Sequence, residues 1–240
     1  MLFRVLLLRR CVFPTVALSF AALVHPLMTQ TPANANPDIF EALAPSGIIP
    51  SRLNLTPAKR THAIKALIAA RSSAGEEKRQ EIAYLLATLG YEYQRNRDEL
   101  LEVLKGCSHE IPTSGCDDMT GDYLMKLYLQ GHKELLRPLL AAYPTGNVAL
   151  QEGLGGFIGD RLAADTREFL AVASTFPPRA QQRICMAAGS EDGGGMPPKD
   201  FARVMRNLKA VGGEVAERCE EQVLAAKKDA EDNERQSAKH

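Results

Sequence analysis

Two stretches of sequence decide the fold: GDYLMKLYLQGHKELLRPLLAAYP at residues 121–144 and GGFIGDRLAADTREFLAVASTFP at residues 155–177. Aligned at a spacing of 34 residues, they pair Gly121 with Gly155 and Tyr123 with Phe157. In each stretch apolar residues recur at helical spacing on both sides of a short turn, which predicts a helical hairpin. One hairpin cannot bury its apolar face alone, whereas stacked neighbours can. The sequence therefore predicts an all-α protein.

A shorter motif extends this repeat along the chain. It occurs as Glu99-Leu100-Leu101, Glu134-Leu135-Leu136 and Glu168-Phe169-Leu170, at spacings of 35 and 34 residues. Leucine-rich helices also resemble one another by chance at many offsets, and this alternative stays open. The period suits helical-hairpin arrays of the tetratricopeptide or HEAT type by architecture, although the characteristic tetratricopeptide residues are absent. We expect a helical-hairpin stack that is solenoid-like in its middle part.

Local signals place the individual helices. Thr56-Pro57 is typical of a helix start, and we expect Asn96 to cap a third helix that ends at Gly106. Pro138 conflicts with a helix drawn over residues 133–143, because proline inside a helix kinks or splits it. The glycines of residues 153–159 predict either close helix packing or a break in the helix. The predicted segments are 56–71, 75–89, 96–106, 119–130, 133–143, 148–164, 166–176, 178–186, 201–208 and 215–226.

The N-terminus has the layout of a secretory signal peptide. Arg4, Arg9 and Arg10 are the only charged residues before Asp38, an apolar run covers residues 11–24, and Ala33-Asn34-Ala35 offers a small-residue cleavage site. An uncleaved membrane anchor would need about 20 apolar residues, more than this run supplies. The arginine pair also suggests twin-arginine export, but its flanking residues support that interpretation poorly. We expect cleavage near Ala35 and a periplasmic or secreted protein.

The composition predicts four segments of the chain and limits the classes of partner that it could bind. We expect a signal peptide at 1–35, an extended, proline-interrupted lead-in at 36–55, an all-α domain at 56–226 and a charged tail at 227–240. The chain has 29 basic and 29 acidic residues, and the signal peptide holds three of the basic ones, so the mature chain carries a net charge of −3. This balance argues against a nucleic-acid partner, which would need a basic face. With no later apolar run near 18 residues, we expect no membrane contact after cleavage.

The mature chain keeps four cysteines, an even number that suits disulfides in an oxidising compartment. We predict the pairs Cys107–Cys116 and Cys185–Cys219, because each joins segments adjacent in sequence. Four cysteines allow three pairings, and metal binding or redox catalysis is the competing interpretation. No Cys-x-x-Cys motif occurs, and among the histidines only His109 lies near a cysteine.

Several ionisable side chains that could bind a metal or transfer a proton lie in and next to the Cys107–Cys116 segment. Its polar cluster comprises His109, Glu110, Asp117, Asp118 and Asp122. Such a cluster could bind a divalent cation or transfer a proton, but it is also typical of a solvated loop followed by the acidic first turn of a helix. The spacing matches no known metal, phosphate or nucleophile motif. We therefore predict no catalytic residue, no cofactor and no metal ligand.

The tyrosines of the first half have two interpretations. They are Tyr84, Tyr91, Tyr93, Tyr123 and Tyr128. They could line a concave binding face, but core positions with a hydroxyl that reaches the surface are the more ordinary arrangement.

Two functions remain open at the level of sequence. The first is a non-catalytic interaction protein of the bacterial envelope, which presents a helical surface to a protein or envelope partner. The alternative is a periplasmic hydrolase whose site uses the polar cluster at residues 109–122. The first rests on architecture alone.

Overall fold

The computed structural model describes residues 55–107, 118–190 and 195–237, which belong to one compact unit. These residues form ten α-helices and no strand, so the all-α prediction is confirmed. Short 3₁₀ turns flank α5 at Lys133–Leu135 and Tyr143–Thr145. The helices are α1 (Pro57–Arg71), α2 (Glu76–Thr88), α3 (Tyr93–Gly106), α4 (Asp118–Leu129), α5 (Leu136–Ala142), α6 (Val148–Ala164), α7 (Thr166–Ala173), α8 (Pro178–Ser190), α9 (Pro198–Val211) and α10 (Glu214–Ser237).

The helices contact one another in two interleaved series. Helices α2, α4, α6, α8 and α10 each pack against the next member of that set, and α3, α5, α7 and α9 do the same. Helix α1 packs on α2, and the Arg71 guanidinium forms an ion pair and hydrogen bond with the Glu99 carboxylate of α3. From α2 onward, each helix therefore contacts the second helix after it in the sequence.

The core between these helices is built mainly from leucine and alanine. The motif positions Leu100, Leu135 and Phe169 are completely buried. Leu100 and Phe169 anchor α3 and α7, and Leu135 anchors the 3₁₀ turn before α5. Burial of a side chain of this size is worth roughly 1.5–3 kcal/mol. The repeated motif thus marks positions where one helix enters the core.

Asn96 does not cap α3 as the sequence predicted. The helix starts three residues earlier, at Tyr93, after Glu92 in the left-handed conformation with φ of 42°. Asn96 lies inside the helix and is completely buried. Its amide nitrogen donates to the carbonyl oxygens of Tyr91 and Glu92, and its amide oxygen accepts from Arg71. The side chain therefore fixes the α2–α3 turn and connects it to α1.

The region around Pro138 shows how the chain resolves the predicted conflict. The segment 133–143 is not one helix: a 3₁₀ turn at Lys133–Leu135 precedes α5, which starts at Leu136. Pro138 thereby falls in the first turn of α5, where backbone N–H groups have no partner within the helix. The split shortens α5 to seven residues.

The glycine-rich part of α6 does not break the helix. Helix α6 runs unbroken from Val148 to Ala164, and Gly155 and Gly159 are buried in it. Of the two predicted outcomes, the break is therefore wrong. Glycine at buried helical positions lets a neighbouring element approach closely, which offsets its lower helix propensity.

The C-terminal helices are joined by one disulfide. Cys185 on α8 bonds to Cys219 on α10, as predicted, with a Cα–Cα distance of 4.9 Å and both residues fully buried. The structure thus describes one disulfide of the two expected. The predicted Cys107–Cys116 pair includes Cys116, which lies outside the described residues, so this pair stays a prediction.

Two further expectations concern the ends of the chain. Helix α10 continues to Ser237 with mostly exposed residues, beyond Ala226 where the apolar pattern stops. The predicted signal peptide and most of the lead-in lie outside the described residues. None of the ten described helices is long and apolar enough to cross a membrane.

Candidate functional site

The polar cluster predicted around residues 109–122 is described only at its C-terminal end. His109, Glu110 and Asp117 lie outside the described residues, and Asp118 is the first residue of α4. The Asp122 side chain is 47% exposed and lies 3.7 Å from Lys126 one turn later, an ordinary helix-surface ion pair. Within the described segments no three His, Cys, Asp or Glu side chains are placed to hold a metal ion. The hydrolase interpretation therefore stays a prediction.

A first polar constellation joins α3 to the turn before α5. The Tyr93 hydroxyl donates a hydrogen bond to Glu134 Oε1 at 2.6 Å. The Tyr93 ring stacks on His132 with a centroid distance of 3.9 Å, and the Arg97 guanidinium lies 5.6 Å from the ring centroid. His132 Nδ1 and Arg97 lie 3.8 and 3.9 Å from Glu134 Oε1. We call this group the Tyr93–Glu134 bridge.

The electrostatics of this bridge favour the neutral phenol and the charged carboxylate. Burial, the hydrogen bond to Glu134 and the negative charge of Glu134 all raise the pKa of Tyr93. Burial alone would raise the pKa of Glu134, but the hydrogen bond from Tyr93 and the positive charges of His132 and Arg97 hold it below its usual value. The arrangement therefore favours a hydrogen bond from a protonated phenol to a charged carboxylate.

A second bridge of the same kind joins α4 to α7. The Tyr128 hydroxyl donates to Glu168 Oε2 at 2.7 Å, and Lys133 Nζ lies 3.0 Å from the hydroxyl and 3.2 Å from Glu168. Burial is the main reason that the pKa of Tyr128 is raised. The Tyr128 and Phe157 rings are perpendicular with their centroids 5.5 Å apart, and the Arg161 guanidinium lies 5.7 Å from the Tyr128 centroid. We call this group the Tyr128–Glu168 bridge.

The two bridges have nearly the same spacing in the sequence as the predicted repeat. Tyr93 and Tyr128 are 35 residues apart, and Glu134 and Glu168 are 34 apart. The remaining motif carboxylate, Glu99, is held by Arg71 of an earlier helix. Each motif glutamate thus accepts from a side chain of a preceding element. These groups connect elements that are separated in the sequence.

The described residues enclose a concave surface between α3 and α5, the α3–α5 groove, with a volume of about 300 Å³. Leu104 and Ala142 are buried at its base, whereas Ala141 and Thr145 are exposed. Among the described lining residues, the two ionisable side chains are cations. The complete described lining is Leu101, Leu104, Lys105, Arg137, Pro138, Ala141, Ala142 and Thr145.

The groove exists because α5 is short and has small side chains on the side that faces α3. Proline and two alanines face the leucines of α3, so the two helices leave space that larger side chains would fill. The split of the helix before Leu136 places Pro138 and Arg137 at this position. Five of the eight lining side chains are aliphatic hydrocarbon or proline in character, so the surface is suited to an apolar ligand group.

The two rim cations differ in how they are neutralised. Lys105 forms an ion pair with Glu102 on the same helix. The exposed Arg137 guanidinium lies 5.5 Å from the centroid of the Phe176 ring, a cation–π distance. Within the described part of the chain no carboxylate lies within ion-pair distance of Arg137. Its charge is therefore held by an aromatic ring and left open to a ligand.

The predicted tyrosines are not part of this groove. Tyr84, Tyr123 and Tyr128 are buried core residues, and Tyr84 stacks on Tyr123 at 4.8 Å. Tyr91 and Tyr93 are half-buried. Sequence reasoning also missed Arg137, because an arginine beside a proline carries no motif. A cation followed by small residues on a short helix indicates a groove only when the position of the facing helix is known.

Comparison of the chain with protein families, with curated proteins and with solved structures found no match.

Proposed function

We propose that this chain is a non-catalytic interaction protein of the bacterial envelope, and that its helical hairpins form a solenoid-like stack with the α3–α5 groove as the binding surface. The groove is the single observation that carries this proposal. It combines an apolar lining with cations at its edge, a combination that protein-binding surfaces use. Contact between every second helix supports the solenoid-like part, and the repeated Tyr–Glu bridges agree with it.

The envelope location rests on the N-terminal pattern and on the disulfide. A buried Cys185–Cys219 bond is compatible with an oxidising compartment. Expression of the full chain in a Gram-negative host, followed by fractionation and N-terminal sequencing, tests the location. We expect periplasmic protein that begins at residue 36. Full-length protein in the cytoplasm would contradict this part of the proposal.

The binding surface is tested with two matched variants. Ala141→Phe fills the groove, whereas Ala149→Phe adds the same ring to an exposed alanine on α6 that does not line it. The oxidised protein and both variants are immobilised, exposed to envelope extract and analysed by mass spectrometry. We expect a partner that is retained by the parent protein and by Ala149→Phe and lost from Ala141→Phe. Partners retained equally by all three proteins would exclude the groove.

A further inference from the structure

The side chains that line the α3–α5 groove indicate what kind of ligand it binds. The inference drawn from them rests on the proposed function. We propose that the groove binds an extended peptide segment of a partner protein in which apolar side chains stand beside an acidic one. The apolar side chains would contact Leu101, Leu104 and Ala142, and the carboxylate would pair with Arg137. The charge of the described lining and the size of the groove support this assignment.

Charge complementarity determines the polar part of the ligand. The ionisable groups of the described lining are Lys105 and Arg137, and neither position offers a negative partner to a cationic ligand. Because Lys105 already has Glu102, the exposed Arg137 is the cation available to a ligand. Guanidinium groups bind carboxylates through two parallel hydrogen bonds, which fixes orientation as well as charge.

The stacking of Arg137 on Phe176 adds to this preference. A guanidinium held over an aromatic ring loses less conformational freedom when it binds than one that moves freely in solvent. Phe176 belongs to the turn that the sequence repeat pairs with Tyr143, so the ring is part of the hairpin framework. The framework therefore positions the cation at the rim of the groove.

The volume and exposure of the groove favour a peptide over a lipid tail. About 300 Å³ lies at the lower end of ligand pockets and holds one or two aliphatic side chains. Several lining residues, among them Ala141 and Thr145, are exposed, so the surface is open to solvent. A long alkyl chain would keep much of its length in water there, whereas a peptide exposes its own polar backbone.

Defined probes test the assignment by fluorescence anisotropy with the oxidised full chain. The first probe is fluorescein-labelled Gly-Leu-Leu-Glu-Gly-amide, and matched probes replace Glu by Gln or both Leu by Ser. We expect the first probe to bind, the replacement of Glu by Gln to weaken binding about tenfold, and the replacement of both Leu by Ser to weaken it about a hundredfold, since a charge-assisted hydrogen bond and each buried leucine contribute about 1.5 kcal/mol. Decanoate labelled with fluorescein at its ω-carbon serves as the lipid-like probe, so its binding is read directly.

Variants assign the binding to the groove. Arg137→Gln should weaken binding of the Glu probe about tenfold and leave the Gln probe unchanged. Arg167→Gln is the matched control, because Arg167 is an exposed arginine on α7 outside the groove. Ala141→Phe should abolish binding of both leucine-containing probes, the Glu probe and the Gln probe. Circular dichroism melting of each variant verifies that it folds.

The outcomes separate this inference from the proposed function. Equal binding of the Glu and Gln probes, or no effect of Arg137→Gln, overturns carboxylate recognition, and the groove remains a binding surface. Decanoate binding that depends on Arg137, with no peptide binding, overturns the peptide assignment. No binding of any probe also overturns it. If Ala141→Phe in addition retains every partner from envelope extract, the proposed function fails as well.

Discussion

At the scale of single residues, two side-chain positions hold helices in contact. Gly189 on α8 faces α10 so closely that an added Cβ would lie 2.9 Å from Val223 Cα and from Ala226 Cβ. Asn96 occupies a completely buried site and joins three backbone or side-chain partners. Neither role follows from residue type, because glycine and asparagine in helices are ordinarily unfavourable.

The first prediction concerns the close approach at Gly189. Gly189→Ala should destabilise the protein by about 1–3 kcal/mol, because the new methyl group meets backbone of α10 that cannot move aside. In an exposed helix the same substitution stabilises by about 0.5–1 kcal/mol. Gly153→Ala, at an exposed position in α6, is the control and should show that gain. Urea unfolding measures both; a gain at Gly189 would contradict the packing.

The second prediction concerns the buried amide of Asn96. Asn96→Ala should lower the free energy of unfolding by about 2 kcal/mol or more, because it leaves buried hydrogen-bonding groups without a partner. The neighbouring exposed Gln94→Ala should change it by less than about 0.5 kcal/mol. A double-mutant cycle with Arg71→Ala isolates the contact between α1 and α3. Additive effects of the two substitutions would show that this contact contributes nothing.

At the scale of elements, the α8–α10 pair is the most tightly connected unit of the described chain. It combines the Cys185–Cys219 disulfide with the glycine contact one turn further along α8. The Tyr–Glu bridges connect other pairs through polar groups near the surface. The disulfide acts largely on the unfolded chain, whereas the bridges act on the folded one.

The third prediction concerns this disulfide. The Cys185→Ala/Cys219→Ala double variant should lose up to about 3.8 kcal/mol, the loop-closure value for 34 residues, before any native strain is subtracted. Because both cysteines are fully buried, the folded protein should resist reduction by dithiothreitol until denaturant is added. Alkylation and peptide mapping follow the reaction. Rapid labelling of Cys185 in the native protein would show that the α8–α10 contact opens readily.

At the scale of the whole molecule, the free energy of unfolding should decrease as the pH becomes alkaline. The pKa values of Tyr84, Tyr93 and Tyr128 are all raised, mainly by burial. A raised folded-state pKa gives stability that is present below the unfolded pKa of about 10 and is lost as pH rises above it. The folded state binds the protons more tightly than the unfolded state, so high pH favours unfolding.

The fourth prediction tests this linkage with Tyr93→Phe. The absorbance of phenolate at 295 nm should rise at higher pH in the folded protein than in urea. The variant should lose part of the alkaline decline in stability, and the pKa of Glu134, followed by carboxyl NMR, should rise because its hydrogen bond is gone. An unchanged pKa of Glu134 would exclude the bridge.

The fifth prediction concerns the distribution of stability among the helices. Helix α1 buries only Ala63 and Leu67, whereas α8 buries six residues and carries the disulfide. If the hairpins stack as proposed, each depends on its nearest neighbours and the terminal elements open first. Hydrogen exchange measured by mass spectrometry should show α1 exchanging faster than α8. Equal protection of both helices would indicate one cooperative unit and would weaken the solenoid-like interpretation.

The sequence by itself determined the helical class, most helix positions and one disulfide, because apolar periodicity, caps and cysteine spacing are local properties. It indicated a kink or split near Pro138 but not its position, and it did not determine the role of Asn96 or the unbroken α6, since these depend on neighbouring helices. The tertiary structure alone decided where Leu101 and Leu104 face Pro138, and so where the groove and Arg137 lie. A groove is a relation between two helices, and no single segment specifies it.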